Sequence, residues 1–246
     1  MRYKAIFIDI DDTLLDYVPC CRAAFDASMR VLSTEYRVPN TDRITQDQLF
    51  DLFFGISGRL FSEAKRGLHT VAEVMELYPR EFVERMCELA SERVGELEIE
   101  QMTEVFKHAF RTAWGETHTL VPEATETLDA LQKKGYRLFA ASNSFGHLQR
   151  SRLERAGILS YFEDTYISMD IGYDKPDIRF YEHALCACGL AADEVLMVGD
   201  SMTTDIIGAK KAGLGTCFFN RRPEEKATEG IADYEIRGLA ELLTIL

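Results

Sequence analysis

The chain has 246 residues, 46% of them apolar, enough for one large domain or a core with a smaller companion. Its net charge of −13, from 41 acidic against 28 basic residues, argues against a nucleic-acid surface, which would need a basic face. Met1-Arg2-Tyr3-Lys4 runs straight into a strand too short for a signal peptide, and no apolar run approaches membrane length. The cysteines and histidines are scattered without zinc, thioredoxin or HExxH spacing, so a cytoplasmic protein with reduced thiols is expected.

Tyr3–Asp9 is short, apolar and β-branched, the pattern of a central parallel strand. From Pro19 to Trp114 apolar residues recur at helical spacing: Phe25, Met29 and Leu32, then Leu49 and Phe53, then Phe82 and Met86, then Met102, Phe106 and Phe110. No strand interrupts them, which predicts an all-helical module. Within it, Gly55 and Gly58 are expected to break a helix carrying Phe50, Phe53 and Phe54, and Phe54 and Arg59 become candidate nucleotide contacts.

After Pro122, strands are expected at 137–142, 165–168, 195–199, 216–219 and 234–236. Helices are expected between them, at 123–134, 147–156, 178–188, 203–212 and 239–243. This alternation predicts an α/β fold: a Rossmann-like parallel sheet with helices on both faces. The first strand must join that sheet, so the helical module is an insertion. The expected division is a core of 1–16 with 116–246 and a helical cap of 17–115.

Ligands of open parallel sheets bind beyond the carboxyl ends of the strands. Four such ends carry polar chemistry here: Asp9-Ile10-Asp11-Asp12-Thr13, Ser142-Asn143, Lys175-Pro176 and Gly199-Asp200-Ser201, with Asp205 following. Each alone has a bland explanation: an acidic turn, a helix cap, a solvated lysine ahead of a helix-opening proline, a macrodipole acid. Gathered at one sheet edge, the carboxylates call for a cation, and oxygen-only ligands favour Mg²⁺. The lysine and a helix N-terminus suit a phosphate. One carboxylate can attack phosphorus, and a second, two residues on, can move the proton.

In order and spacing these four stretches resemble the motifs of the haloacid dehalogenase superfamily, over the whole chain. Ser142–Ile158 and Met197–Cys217 are most similar to a bacterial subgroup of pyrimidine 5′-nucleotidases. The resemblance implies Asp9 as nucleophile and Asp11 as general acid and base. It implies Mg²⁺ on Asp9, Asp200 and the carbonyl of Asp11, with Asp205 supporting the metal shell or the lysine. Ser142, Asn143 and Lys175 would bind phosphate, Lys175 also screening Asp9; Thr13 would be a structural hydroxyl and Asp12 a turn residue.

The implied activity is Mg²⁺-dependent hydrolysis of small phosphomonoesters through an aspartyl phosphate, with nucleoside 5′-monophosphates as candidate substrates. Alternatives are a sugar-phosphate phosphatase, a phosphomutase, or a non-catalytic binder of phosphorylated ligands. Carbon–halogen hydrolysis fits poorly, because such enzymes lack the second aspartate that Asp11 supplies. The partner expected is a small phosphorylated metabolite, with neither nucleic acid polymer nor membrane; the sequence leaves oligomeric state open.

Overall fold

A computed structural model describes residues 2–36, 44–89, 94–221 and 230–246. The chain divides into two compact units: 1–17 with 118–246, and 18–117. The first holds β1 (Ala5–Ile8), β2 (Arg137–Ser142), β3 (Asp164–Ile167), β4 (Val195–Gly199), β5 (Gly215–Phe219) and β6 (Tyr234–Ile236). They form one parallel sheet in the order β3-β2-β1-β4-β5-β6. The central place of β1 follows from its sequence: Ala5, Ile6, Phe7 and Ile8 are all buried, with no polar face to offer water.

Both sheet faces are covered, and the period-two alternation of each strand divides its side chains between them. Ile6, Ile8, Leu138, Ala140, Leu196 and Val198 pack in one apolar cluster. It includes Leu128 and Leu131 of α5 (Ala124–Lys133), Leu153 of α6 (Gly146–Arg155) and Leu242 of α10 (Leu242–Ile245). The intervening Ala5, Phe7, Phe139, Ala141, Val195 and Met197 join a second cluster. There they meet Phe180, Tyr181 and Ala184 of α8 (Ile178–Cys188) and Ala209 of α9 (Gly208–Lys211). The remaining short helix, α7 (Ser168–Ile171), follows β3 directly.

Two local expectations change. The helix expected over 203–212 begins as a wide π-type turn, Met202–Ile207, before tightening into α9. Pro176 does not open α8: it follows a cis Lys175–Pro176 bond, and Asp177 is the cap, its carboxylate accepting from the Arg179 N–H at 2.9 Å.

The second unit is built from α1 (Tyr17–Glu35), α2 (Gln46–Lys65), α3 (Val71–Leu89) and α4 (Glu96–Trp114). Its centre is aromatic. The Phe53 ring lies 5.1–5.7 Å from those of Phe25, Tyr78, Phe82, Phe106 and Phe110, one or more from each other helix. No described helix is long and apolar enough to cross a membrane, and none of the six cysteines is in a disulfide.

The expected break at Gly55 and Gly58 does not occur; α2 runs through both. Each glycine costs about 1 kcal/mol against alanine in a helix. The capping box of Thr45 and Gln48 and the buried Leu49, Phe50, Phe53, Ile56 and Leu60 outweigh that cost. Phe54 rests on Phe50 at 5.5 Å, and Arg59 is held by Glu63 and Glu81, tying α2 to α3. Both residues thus have structural partners within this unit. A Cβ at Gly55 or Gly58 would meet nothing within 4 Å. Gly55→Ala and Gly58→Ala should therefore each stabilise this unit by roughly 0.5–1 kcal/mol, read by denaturant titration; a loss at either would mean the helix needs a glycine there.

Candidate active site

Ile8 pairs with Ala140 on one side and Val198 on the other, so at mid-sheet β2 runs two residues and β4 one residue past the end of β1. Asp9 follows immediately, its N–H bonded to the Val198 carbonyl at 2.9 Å. The chain then turns tightly: the Leu14 and Leu15 N–H groups both reach the Ile10 carbonyl. Asp12 takes the left-handed conformation at φ 58°, and its carboxylate accepts from the Tyr17 N–H at 3.2 Å. Thr13 is wholly buried, and its hydroxyl makes no hydrogen bond among the described residues.

Lys175 is the hub. Its Nζ donates to Asp9 Oδ1 at 2.6 Å, Asp205 Oδ1 at 2.7 Å and the Ala141 carbonyl at 2.7 Å, using all three protons. The three charged groups are at most 7% exposed. Burial pushes the Asp9 carboxyl up to about 7; Lys175 pulls it back, and the nearby Asp205 charge adds to the rise. Burial pulls the Lys175 ammonium down, but Asp205 and Asp9 outweigh that and hold it above its ordinary value. Asn143 fixes the lysine's backbone: its amide nitrogen donates to the Lys175 carbonyl and its oxygen accepts the Lys175 N–H, each at 2.8 Å.

Asp200 follows β4 directly, and its carboxylate lies with those of Asp9 and Asp205, all within 4.8 Å of one another. This all-oxygen set suits a hard divalent cation. Both Asp205 oxygens are engaged, one by Lys175 and the other by the Ser201 N–H at 3.0 Å. Gly199 makes the crowding possible. A Cβ there would stand 2.3 Å from Asp205 Oδ2 and 2.7 Å from its Cβ. Gly199→Ala should cost roughly 1–3 kcal/mol by displacing Asp205 from Lys175, measured as a lower unfolding midpoint. An unchanged midpoint would show that the strand end has room to spare.

Asp11 and Ser142 meet through residues that the sequence did not single out. Gln149 Nε2 donates to Asp11 Oδ2 at 2.7 Å and to Ser142 Oγ at 3.0 Å. Arg152 Nη1 donates to Asp11 Oδ1 at 2.7 Å and Gln149 Oε1 at 2.8 Å. The signal was their i, i+3 spacing on α6, beside the buried Leu153.

Residues 3–213 match the family described as haloacid dehalogenase-like hydrolase. The chain belongs to that hydrolase family. It is 30% identical to the HAD-hydrolase YfnB of Bacillus subtilis, over 100% of this chain and 96% of that protein. The crystal structure of YfnB superposes with a TM-score of 0.81 at 28% identity, covering 100% of this chain and 99% of that one. Identity is 28% with the pyrimidine 5′-nucleotidase PynA of Streptococcus pneumoniae, over 100% and 96% of the two chains. It is 30% with a phosphoserine phosphatase of Thermus thermophilus, over 97% of each. Members at nearly equal distance thus act on different phosphate esters, so overall identity does not select a substrate.

Proposed function

We propose that this chain hydrolyses small phosphomonoesters through an aspartyl phosphate on Asp9, with nucleoside 5′-monophosphates, pyrimidines first, as preferred substrates. The observation that carries the chemistry is the buried Asp9–Lys175–Asp205 group at the end of the central strand, beside Asp200. Lys175 holds Asp9 in one orientation with its carboxylate toward the site. The Asp9 oxygen attacks phosphorus, and Asp11 gives its proton to the departing ester oxygen. Asp11 then takes a proton from the water that attacks the acyl phosphate, freeing Asp9. Ser142 offers its hydroxyl, Asn143 its backbone N–H and Lys175 its charge to the phosphoryl oxygens; the Asn143 side chain is spent on Lys175.

Asp9, Asp200 and the main-chain carbonyl of Asp11 would hold Mg²⁺, which when bound neutralises charge on the phosphoryl oxygens. The YfnB structure is described as bound to magnesium, in keeping with this donor set. The helical unit, 18–117, takes the part of the cap that sets substrate choice. The stretches at Ser142–Ile158 and Met197–Cys217, which resemble pyrimidine 5′-nucleotidases, support the nucleotide preference. Phosphate release across nucleotides, sugar phosphates and phosphoserine tests it. A sugar phosphate or phosphoserine winning the screen would overturn the nucleotide preference. No phosphate release from any ester would overturn the hydrolase chemistry proposed here.

Metal binding has a stability signature. Without metal, the folded Asp9 carboxyl titrates at about 7 against about 3.9 in the unfolded chain. The folded state holds the extra proton between those values, so this group's contribution is present below about pH 4 and lost as pH rises through about 7. Mg²⁺ competes with that proton. Its stabilisation should be small near pH 5 and reach roughly 5–10 °C in midpoint near pH 8 at about 100 times Kd. A shift independent of pH would place the ion away from Asp9.

A further inference from the structure

Arg152 and Gln149 are both wholly buried, although α6 reads Gly-His-Leu-Gln-Arg-Ser-Arg-Leu-Glu-Arg, one of the most polar helices of the chain. Burying a guanidinium is costly unless its charge is met, and here Asp11 meets it at 2.7 Å. A guanidinium only donates. Gln149 must therefore turn its amide oxygen to Arg152 and its NH₂ the other way. One N–H then goes to Asp11 Oδ2 and the other to Ser142 Oγ, so both donors and the oxygen of that amide have partners. Two consequences follow. Both Asp11 oxygens are held, which fixes the plane of the carboxylate. Ser142 Oγ already accepts from Gln149, so its own proton is left to be given to another acceptor.

We propose that Gln149, its amide orientation set by Arg152, is a positioning residue that aims the Asp11 carboxylate at the leaving oxygen and the Ser142 proton at a phosphoryl oxygen. This rests on the phosphatase reading above. In the first step the Asp9 oxygen–phosphorus bond forms, the phosphorus–ester oxygen bond breaks, and the ester oxygen keeps the electron pair and takes the Asp11 proton. In the second, water oxygen bonds to phosphorus and its proton goes to Asp11. The phosphorus–Asp9 bond breaks with its pair returning to the carboxylate, and inorganic phosphate leaves.

The test is Gln149→Glu in the full chain. It keeps the shape and still pairs with Arg152, but it removes both donors and invites the Ser142 hydroxyl inward. Phosphoenzyme formation is timed by rapid quench with an alkyl phosphate, whose leaving group needs a proton, and with dinitrophenyl phosphate, whose leaving group does not. The alkyl ester should slow roughly 10²-fold, the scale of a misplaced reacting group, and the dinitrophenyl ester far less. The inhibition constant of inorganic phosphate should rise about tenfold as the Ser142 contact is lost. Gln149→Met, with neither donor nor acceptor, guards against misfolding of the first variant and should shift the ester ratio in the same direction. If the ratio is unchanged in both variants while the wild type forms phosphoenzyme, Gln149 is only structural and the inference falls. A faster alkyl reaction would mean the pair holds Asp11 away from its work. A wild type that forms no phosphoenzyme with either ester overturns the phosphatase reading and the inference with it.

Discussion

Asp9→Asn should end turnover while leaving the fold intact. Loss of a nucleophile in a hydrolase costs on the order of 10⁶ in rate, because asparagine cannot form the acyl phosphate. The stability side is the unusual part. Burial already favours the neutral form of Asp9, pushing its carboxyl up to about 7, so a neutral amide of the same shape suits the site. Metal-free Asp9→Asn should therefore unfold no earlier than the wild type near pH 8, and the difference should shrink toward pH 5, where Asp9 itself is largely protonated. A variant that is both inactive and unstable would mean that Asp9 holds the strand end together rather than reacting there.

Lys175→Met should be the most destabilising single change at the site. Lys175 is 3% exposed and binds two carboxylates, Asp9 and Asp205, which it would leave buried without their cation. Removing one partner of a buried ion pair costs roughly 3–5 kcal/mol. The deficit should ease on acidification: the abandoned carboxylates take up protons more readily folded than unfolded, which favours the folded state at low pH and is lost as pH rises. Denaturant titrations near pH 5 and pH 8 would measure it. A pH-independent deficit would show that Lys175 acts through packing, not charge.

The sheet was legible because its strands have no choice. Val195–Gly199 and Arg137–Ser142 are apolar runs that must be buried on both faces, and each ends in the residues that make the site. Asp9, Ser142 and Asp200 could be read because each stands at or just beyond a strand end. Lys175, expected at a strand end, lies instead in the loop between α7 and α8 and reaches Asp9 through its long side chain. The rest depended on energies that local spelling does not carry. Gly55 and Gly58 looked like a break because each disfavours helix. The ring packing of Phe53 and its neighbours, which overrides them, comes from three other helices. The π-type turn at Met202–Ile207 gives Asp205 its place opposite Gly199, a contact invisible without the fold. Nothing in the local sequence assigns Gln149 and Arg152 a place at the site; that comes only when α6 packs on the sheet and turns them toward Asp11.

The central claim is that phosphorus is carried on Asp9. The most direct measurement is an acid quench during turnover of a labelled phosphomonoester, followed by peptide mapping of the trapped protein. The account predicts one label, lost on treatment with hydroxylamine as an acyl phosphate must be, in the peptide containing Asp9 and at that residue. Label on another side chain, or phosphate released with no trapped protein at any quench time, would contradict it.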